Sequence, residues 1–259
     1  MMEKKETVSV LVFDLKGKMA HFRKYYSNSS CLSYYIPPRT TITGIIAGLL
    51  GQPRDTYYED FLLERCNIGV AVLSPLKKII QKMNYLHVES VNDLNGYKGL
   101  PSQTPVELVI PQNIRNGEVC YRIWFSHQDR EIISRLTELF SCSPAYLSRG
   151  VSLGLGCAQY LGWLEYVGLF EGNVIIGDVE TEIMSVIPKS VLKYLQTDKI
   201  KNSTYYLVKE DIPLEFDKDR NITLKGKADM IINLTASPIP AIVSKHVKLN
   251  DESSICWLE

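Results

Sequence analysis

Acidic residues are missing from one long stretch near the start of this chain: between Lys16 and Arg54 there is no aspartate or glutamate. Metal-ligand spacing is missing too. The six cysteines (Cys31, Cys66, Cys120, Cys142, Cys157 and Cys256) form no CxxC pair, which excludes the usual zinc signatures and a compact disulfide framework. The four histidines (His21, His87, His127 and His246) do not cluster with acids at ligand spacing, so neither a metal nor a cofactor is expected. Long apolar runs are absent as well. Residues 45–50 (IIAGLL) are the longest such run in the first half, far short of a bilayer span. The start, MMEKKETVSV, is charged and passes straight into a strand-like run, so no signal peptide is expected and the cytoplasm, with reduced thiols, is the default. No repeat and no low-complexity tract occurs.

What is present offsets these gaps. Hydrophobic residues make up 45% of 259 residues and charged residues 22%, enough for one large domain or two small ones. The formal net charge is zero, yet residues 1–54 carry eight Lys/Arg against three acids, a local balance of +5, and the remainder carries −5. The acid-free stretch holds Lys16, Lys18, Arg23, Lys24, Arg39 and Arg54, with Phe22, Tyr25, Tyr26, Tyr34 and Tyr35 between them. Cations neutralise phosphates and aromatic faces accept stacked bases, so the mixture suits a single-stranded nucleic acid. The plain alternative is a solvated loop with some tyrosines packed on a core.

Along the chain, residues 7–15 (TVSVLVFDL) read as a first strand buried on both faces. A polar and aromatic loop follows, stiffened by Pro37 and Pro38, and a helix opens at Arg39-Thr40-Thr41 with a threonine as expected N-cap. Gly44, Gly48 and Gly51 share a face of that helix, which points to close packing on a sheet. Residues 57–64 read as a short helix and 66–73 as a second strand. Residues 76–117 read as an inserted arm, a β-hairpin with turn signals at Asn95-Gly96, Gly99 and Pro101 and the cations Lys77, Lys78, Lys82 and Lys98. A strand at 118–125 and an amphipathic helix at 128–140 come next, and a strand near 145–147 would complete βαββαβ. The expectation is an α+β, ferredoxin-like domain over residues 1–160, followed by a β-rich region over 161–259. In the latter, strands are expected at 162–169, 173–185, 204–209, 222–224, 228–234 and 241–247, with one short helix at 188–195.

The segment RGVSLGLGCAQYLG (149–162) lacks the ending of a Walker loop and does not fit the dinucleotide fingerprint. Exposed backbone N–H groups at Gly150, with Arg149 beside them, could hold a phosphate; the alternative is a bulged strand.

Here the residues become recognisable. The run Phe13-Asp14-Leu15 with Gly17, then Ala20-His21-Phe22-Arg23-Lys24, Tyr35-Ile36-Pro37-Pro38-Arg39 and the glycine-rich helix over 44–51 resembles the N-terminal signature of the Cas family five subunits of type I Cascade complexes. The form is most similar to the type I-B (Hmari) branch. The resemblance implies a ferredoxin-like core of the RNA-recognition type, a thumb arm where residues 76–117 lie, and a smaller C-terminal β region. It implies a subunit that caps the 5′ handle of crRNA, with the backbone subunits and the large subunit as neighbours, target DNA reached through the complex, and no membrane. The RNA contacts expected are Lys16, Lys18, Arg23, Lys24, Tyr25, Tyr26, Tyr35, Arg39, Lys98, Arg149 and Gly150, with Arg23, Lys24 and Arg39 foremost because they sit inside the matching motif.

One branch of that family processes precursor crRNA. Metal-free RNA cleavage needs a base, an acid and a cation for the phosphorane. His21 with Lys24 and Tyr25 is the local candidate and His127 the second, but a lone histidine near cations more often makes a contact than a reaction. A pure protein-interaction subunit is the third class, and the acid-free run argues against it.

Overall fold

The first strand decides the layering. The structure, a computed structural model, describes residues 7–27, 30–96, 99, 101–141, 153–200 and 205–259. Strand β1 (Thr7–Gly17) is buried from Val10 to Leu15, as its unbroken apolar run requires. Its Leu11, Phe13 and Leu15 join one core cluster, and its Val10 and Val12 join another with Trp124, Val247, Leu249, Ile255 and Trp257.

The chain continues through β2 (Phe22–Arg23), β3 (Ser33–Tyr34), α1 (Arg39–Leu49), a 3-10 turn at Tyr58–Phe61, and β4 (Cys66–Val72). The hairpin β5 (Leu76–Leu86) and β6 (Pro101–Pro111) follows, then β7 (Val119–His127), α2 (Arg130–Ser141) and β8 (Gly162–Ile183). The last part holds β9 (Ile187–Pro188), β10 (Leu192–Leu195), the single turn α3 (Thr197–Ile200), β11 (Leu207–Pro213), β12 (Lys227–Asn233), β13 (Ile239–Leu249) and β14 (Ser254–Ile255). Among the described residues, seven strands form one sheet in the order β10-β13-β14-β8-β1-β7-β4. β7 and β8 flank β1 antiparallel, and β4 lies antiparallel to β7. Both helices bury apolar residues in the cluster that holds Phe13: Ile42 and Ile46 from α1, Ile133, Leu136 and Phe140 from α2. The Phe140 ring stands 5.4 Å from that of Phe13. The architecture is a mixed α/β one, with a large sheet and few helices.

The arm is a hairpin paired in register from Leu76↔Pro111 to Leu86↔Pro101. Its base is tied to the loop after β1 by bridges Ala20↔Val109 and Cys31↔Val106. A three-stranded sheet, β11-β12-β9, lies beside it, with Leu76 N donating to Leu234 O at 3.0 Å.

Several expectations are corrected. The strand expected at 145–147 lies outside the described residues, and the next described strand after α2 is β8. The two short strands expected at 162–169 and 173–185 are one 22-residue strand, because Gly172 is not a break. A Cβ there would meet Val247 Cγ1 at 2.6 Å and Leu249 Cδ2 at 2.9 Å, so the glycine admits crowding neighbours. Residues 188–195 carry no helix: Leu192 and Leu195 pair with Val243 and Ala241, and sheet pairing overrides the local helix preference. Residues 222–224 contribute only the bridge Phe216↔Ile222. The N-cap of α1 is Pro38, without a side-chain cap; its carbonyl accepts from Thr41 N and Ile42 N. The glycine face of α1 is not buried on a sheet. Gly44 and Gly48 are half-exposed, a Cβ on Gly44 would meet the Tyr57 hydroxyl at 3.0 Å, and Gly51 lies past the helix end with φ 76°.

Candidate nucleic-acid interface

The acid-free loop is not free of acids in space. Lys24 Nζ lies 3.0 Å from Glu210 Oε1, a carboxylate on β11 with a side chain only 6% exposed. Lys78, from the base of the arm, reaches the same oxygen at 3.3 Å and Glu107 Oε2 at 3.4 Å. Its ammonium also donates to Ser33 O and sits 4.0 Å from the centre of the Tyr35 ring. Tyr35 N donates to Glu210 Oε2 at 2.9 Å, and Ser33 N to Glu107 Oε2 at 2.9 Å. Two cations and two carboxylates thus form a neutral cluster that holds β3 in place. Burial pulls the Lys24 ammonium down, but the Glu210 charge and hydrogen bond outweigh it and its pKa ends above the usual lysine value.

Lys16 is also paired, with Glu165 Oε2 at 2.6 Å, and this bond holds its pKa up. Arg39 is the clearest correction. Expected to meet phosphate, it is 1% exposed. Its Nη1 donates to Leu214 O at 2.9 Å, and its Nη2 to Cys66 O at 2.8 Å and Cys66 Sγ at 3.0 Å. Burial lowers its pKa and pushes the Cys66 thiol up to about 11. The guanidinium ties α1 to β4 and to the end of β11, where two carbonyls and a thiol converge and a forked donor serves them.

Of the remaining expected contacts, Lys18, Arg23, Tyr25 and Tyr26 lie at the surface. Lys18 is exposed and has no ion pair among the described residues. Arg23 is exposed, its Nη2 donating to Ser27 O at 3.0 Å. Tyr25 and Tyr26 are 46% and 52% exposed, and their rings meet edge to face at 5.1 Å. Tyr35 is half-buried beneath Lys78. Lys98, Arg149 and Gly150 lie outside the described residues. The arm adds Tyr85, 42% exposed, whose hydroxyl is raised by burial and partly offset by the charge of Arg23. Lys77 and Lys82 on β5 are exposed, without ion pairs among the described residues.

The three residues that precursor cleavage would have drawn on are each turned elsewhere. His21 is 3% exposed, and its Nδ1 donates to Glu107 O at 2.7 Å, since a carbonyl can only accept. Lys24 is held by Glu210, whereas Tyr25 points to solvent. His127 is fixed likewise: Nε2 donates to Asp60 O at 2.8 Å and Nδ1 accepts from Asp129 N at 2.9 Å. The glycine-rich segment acts through Gly156, at φ +93°, where a Cβ would stand 1.7 Å from His21 O. Leu155 O accepts from His21 N at 2.9 Å, so this turn packs on the basic loop. A groove of about 990 Å³ lies at the other end of β1, lined by Thr7, Ser9, Arg130, Ser134, Thr137 and Glu171 among others. Among the described residues, no group of three or more His, Cys, Asp or Glu is placed to hold a metal. Nor is any helix there long and apolar enough to cross a membrane.

Residues 10–109 match the family model described as CRISPR-associated protein (Cas_Cas5). The match begins inside β1 and runs through the basic loop, α1 and β4 into most of the arm. No curated protein matches the chain. A crystal structure of a CRISPR protein from Archaeoglobus fulgidus has the same overall fold, with a TM-score of 0.53 at 12% identity over 95% of this chain and 98% of that one. A chain of a CRISPR RNA-guided surveillance complex gives a TM-score of 0.47 at 12% identity, over 90% of this chain and 91% of that one.

Sequence reasoning missed Glu210, Glu107 and Lys78, which organise the loop. Lys78 was visible only as one arm cation among several. Glu210 carried no signal, because its partner Tyr35 is 175 positions away.

Proposed function

We propose that this Cas5-type protein is a non-catalytic subunit of a type I CRISPR effector complex, and that it grips the 5′ handle of crRNA. One observation carries the reading. Inside the family-matched segment, Lys18, Arg23, Tyr25 and Tyr26 are exposed on a single loop that is bridged to the base of a long hairpin arm. A single-stranded handle is held by phosphates and splayed bases, and this surface offers cations and aromatic faces together. The strand order β8-β1-β7-β4 with intervening helices supports a ferredoxin-like core. The type I-B branch is proposed on the resemblance of the N-terminal motifs alone. The backbone and large subunits are the proposed neighbours, with target DNA met through the assembled complex. Residues 161–259 are proposed as a β-rich region whose first strand, β8, completes that core and whose β11 braces the RNA-facing loop.

The non-catalytic half of the proposal is supported by His21, which lies buried with Nδ1 committed to a carbonyl. The test uses the purified protein with labelled mature crRNA and repeat precursor, binding and cleavage being followed together in EDTA. Salt-sensitive binding without cleavage, lost in Arg23→Ala/Tyr25→Ala/Tyr26→Ala, is the expected result. Cleavage at one position, blocked by a 2′-deoxy group there and by His21→Ala, would replace this reading with precursor processing.

A further inference from the structure

The position of Glu210 is costly unless it serves a purpose. Along β11 the neighbouring Lys209 and Asp211 pair across the strand pair with Asp229 and Lys227 at 2.7 and 3.8 Å. Glu210 turns the other way, the same way as the buried Ile212, and its cross-strand partner is the fully buried Met230. A carboxylate in such an inward slot is destabilising unless donors surround it. Three do: Lys24 Nζ at 3.0 Å, Lys78 Nζ at 3.3 Å and Tyr35 N at 2.9 Å. They come from the basic loop, the base of the arm and the chain just after β3, so one carboxylate registers all three against β11.

The cluster adds no net positive charge, and Lys24 and Lys78 are therefore poor candidates for generic attraction of a polyanion. Their arrangement instead fixes geometry. Lys24 Nζ lies 5.2 Å from the Tyr34 ring centre and 6.0 Å from that of Tyr26, an exposed ring. Holding Lys24 thus holds the aromatic surface.

We propose that Glu210 is a positioning residue for RNA recognition: it orients the Tyr25–Tyr26 surface toward the handle, making selective RNA binding by the N-terminal loop depend on strand β11. This rests on the handle-binding reading and adds to it a residue far outside the matched segment.

The sign of the effect separates positioning from charge. Glu210→Gln removes a negative charge beside two lysines, so simple electrostatics would strengthen binding to any RNA. Positioning predicts the reverse for the handle. In Glu210→Gln, affinity for a handle-bearing crRNA falls roughly tenfold, the worth of one charge-assisted hydrogen bond. Affinity for an equally long RNA with a scrambled handle stays level or rises. Asp211→Asn, with the same charge change on the outer side of β11, leaves the ratio of the two affinities unaltered. Hydrogen exchange of the full-length protein supplies a readout that needs no RNA: the Tyr35 amide exchanges faster in Glu210→Gln, while the amides of β1 do not. Unchanged Tyr35 exchange would overturn the proposal, and so would an unchanged affinity ratio. If both RNA affinities fell together with faster exchange throughout β1, the substitution would have loosened the whole fold and the positioning role would be overturned. If Arg23→Ala/Tyr25→Ala/Tyr26→Ala bound RNA like the parent, the handle-binding reading itself would fail and the role of Glu210 in recognition would fall with it. Faster Tyr35 exchange would then leave Glu210 as a loop anchor only.

Discussion

Replacing Arg39 by alanine discriminates sharply between a residue that binds RNA and one that holds the fold. The side chain is 1% exposed, and it donates to two backbone carbonyls, Leu214 O and Cys66 O, at 2.9 and 2.8 Å. Truncation strands both carbonyls at roughly 1–3 kcal/mol each and opens a cavity, while relieving the cost of a buried charge. A net loss of about 3 kcal/mol follows from those opposing terms. For a chain of this size that corresponds to a fall in Tm of about 6–12 °C. Arg39→Lys should recover little, because a single ammonium cannot replace the fork that bridges carbonyls on different elements. The assay is thermal denaturation, paired with RNA binding across a salt series at a temperature where both proteins are folded. The slope of log affinity against log salt should match the parent, since no phosphate contact is lost. A variant that melts like the parent but binds with a slope reduced by about 0.7, the value for one phosphate of a single strand, would refute the reasoning.

The other expectations are separate measurements. Lys18→Ala and Arg23→Ala should each flatten the salt dependence by about 0.7, whereas Lys16→Ala, already paired with Glu165 at 2.6 Å, should leave it unchanged; equal effects from all three would contradict the assignment. Tyr25→Ala or Tyr26→Ala should weaken binding by about 1–3 kcal/mol per stacked base, with an unchanged salt slope in fluorescence anisotropy. Gly156→Ala forces a Cβ to within 1.7 Å of His21 O, so limited proteolysis should cut the basic loop faster in the variant; equal cutting rates would rule the contact out. His246 is 3% exposed, and burial, aided by the charge of Lys248, holds its pKa below the ordinary 6.5. The unfolded chain therefore takes the proton first as pH falls, so stability is full above about 6.5 and declines below it until the folded pKa is passed. The Tm of the parent should fall more between pH 7 and 5.5 than that of His246→Leu, and parallel curves would remove His246 from the account.

Much of the architecture was written in local patterns. The apolar run of β1, the amphipathic repeat of α2, the Pro37-Pro38 break and the turn signals of the arm each act over a few residues, and each produced its element near the expected place. Where two strands were expected at 162–169 and 173–185, the single strand β8 runs through a tightly packed Gly172, and where a short helix was expected at 188–195, pairing with β13 won.

The sequence by itself determined that a basic, aromatic, acid-free loop follows the first strand, because composition within a short window needs no partner to be read. Tertiary structure alone decided which of its charges remain available. Lys24 and Lys16 meet acids brought from β11 and β8, Arg39 is enclosed between α1, β4 and the end of β11, and Arg23, Lys18, Tyr25 and Tyr26 stay at the surface. Coulomb interactions depend on distance in space, and the fold brings the Glu210 carboxylate to the Tyr35 N–H across 175 positions of chain, which no local pattern records.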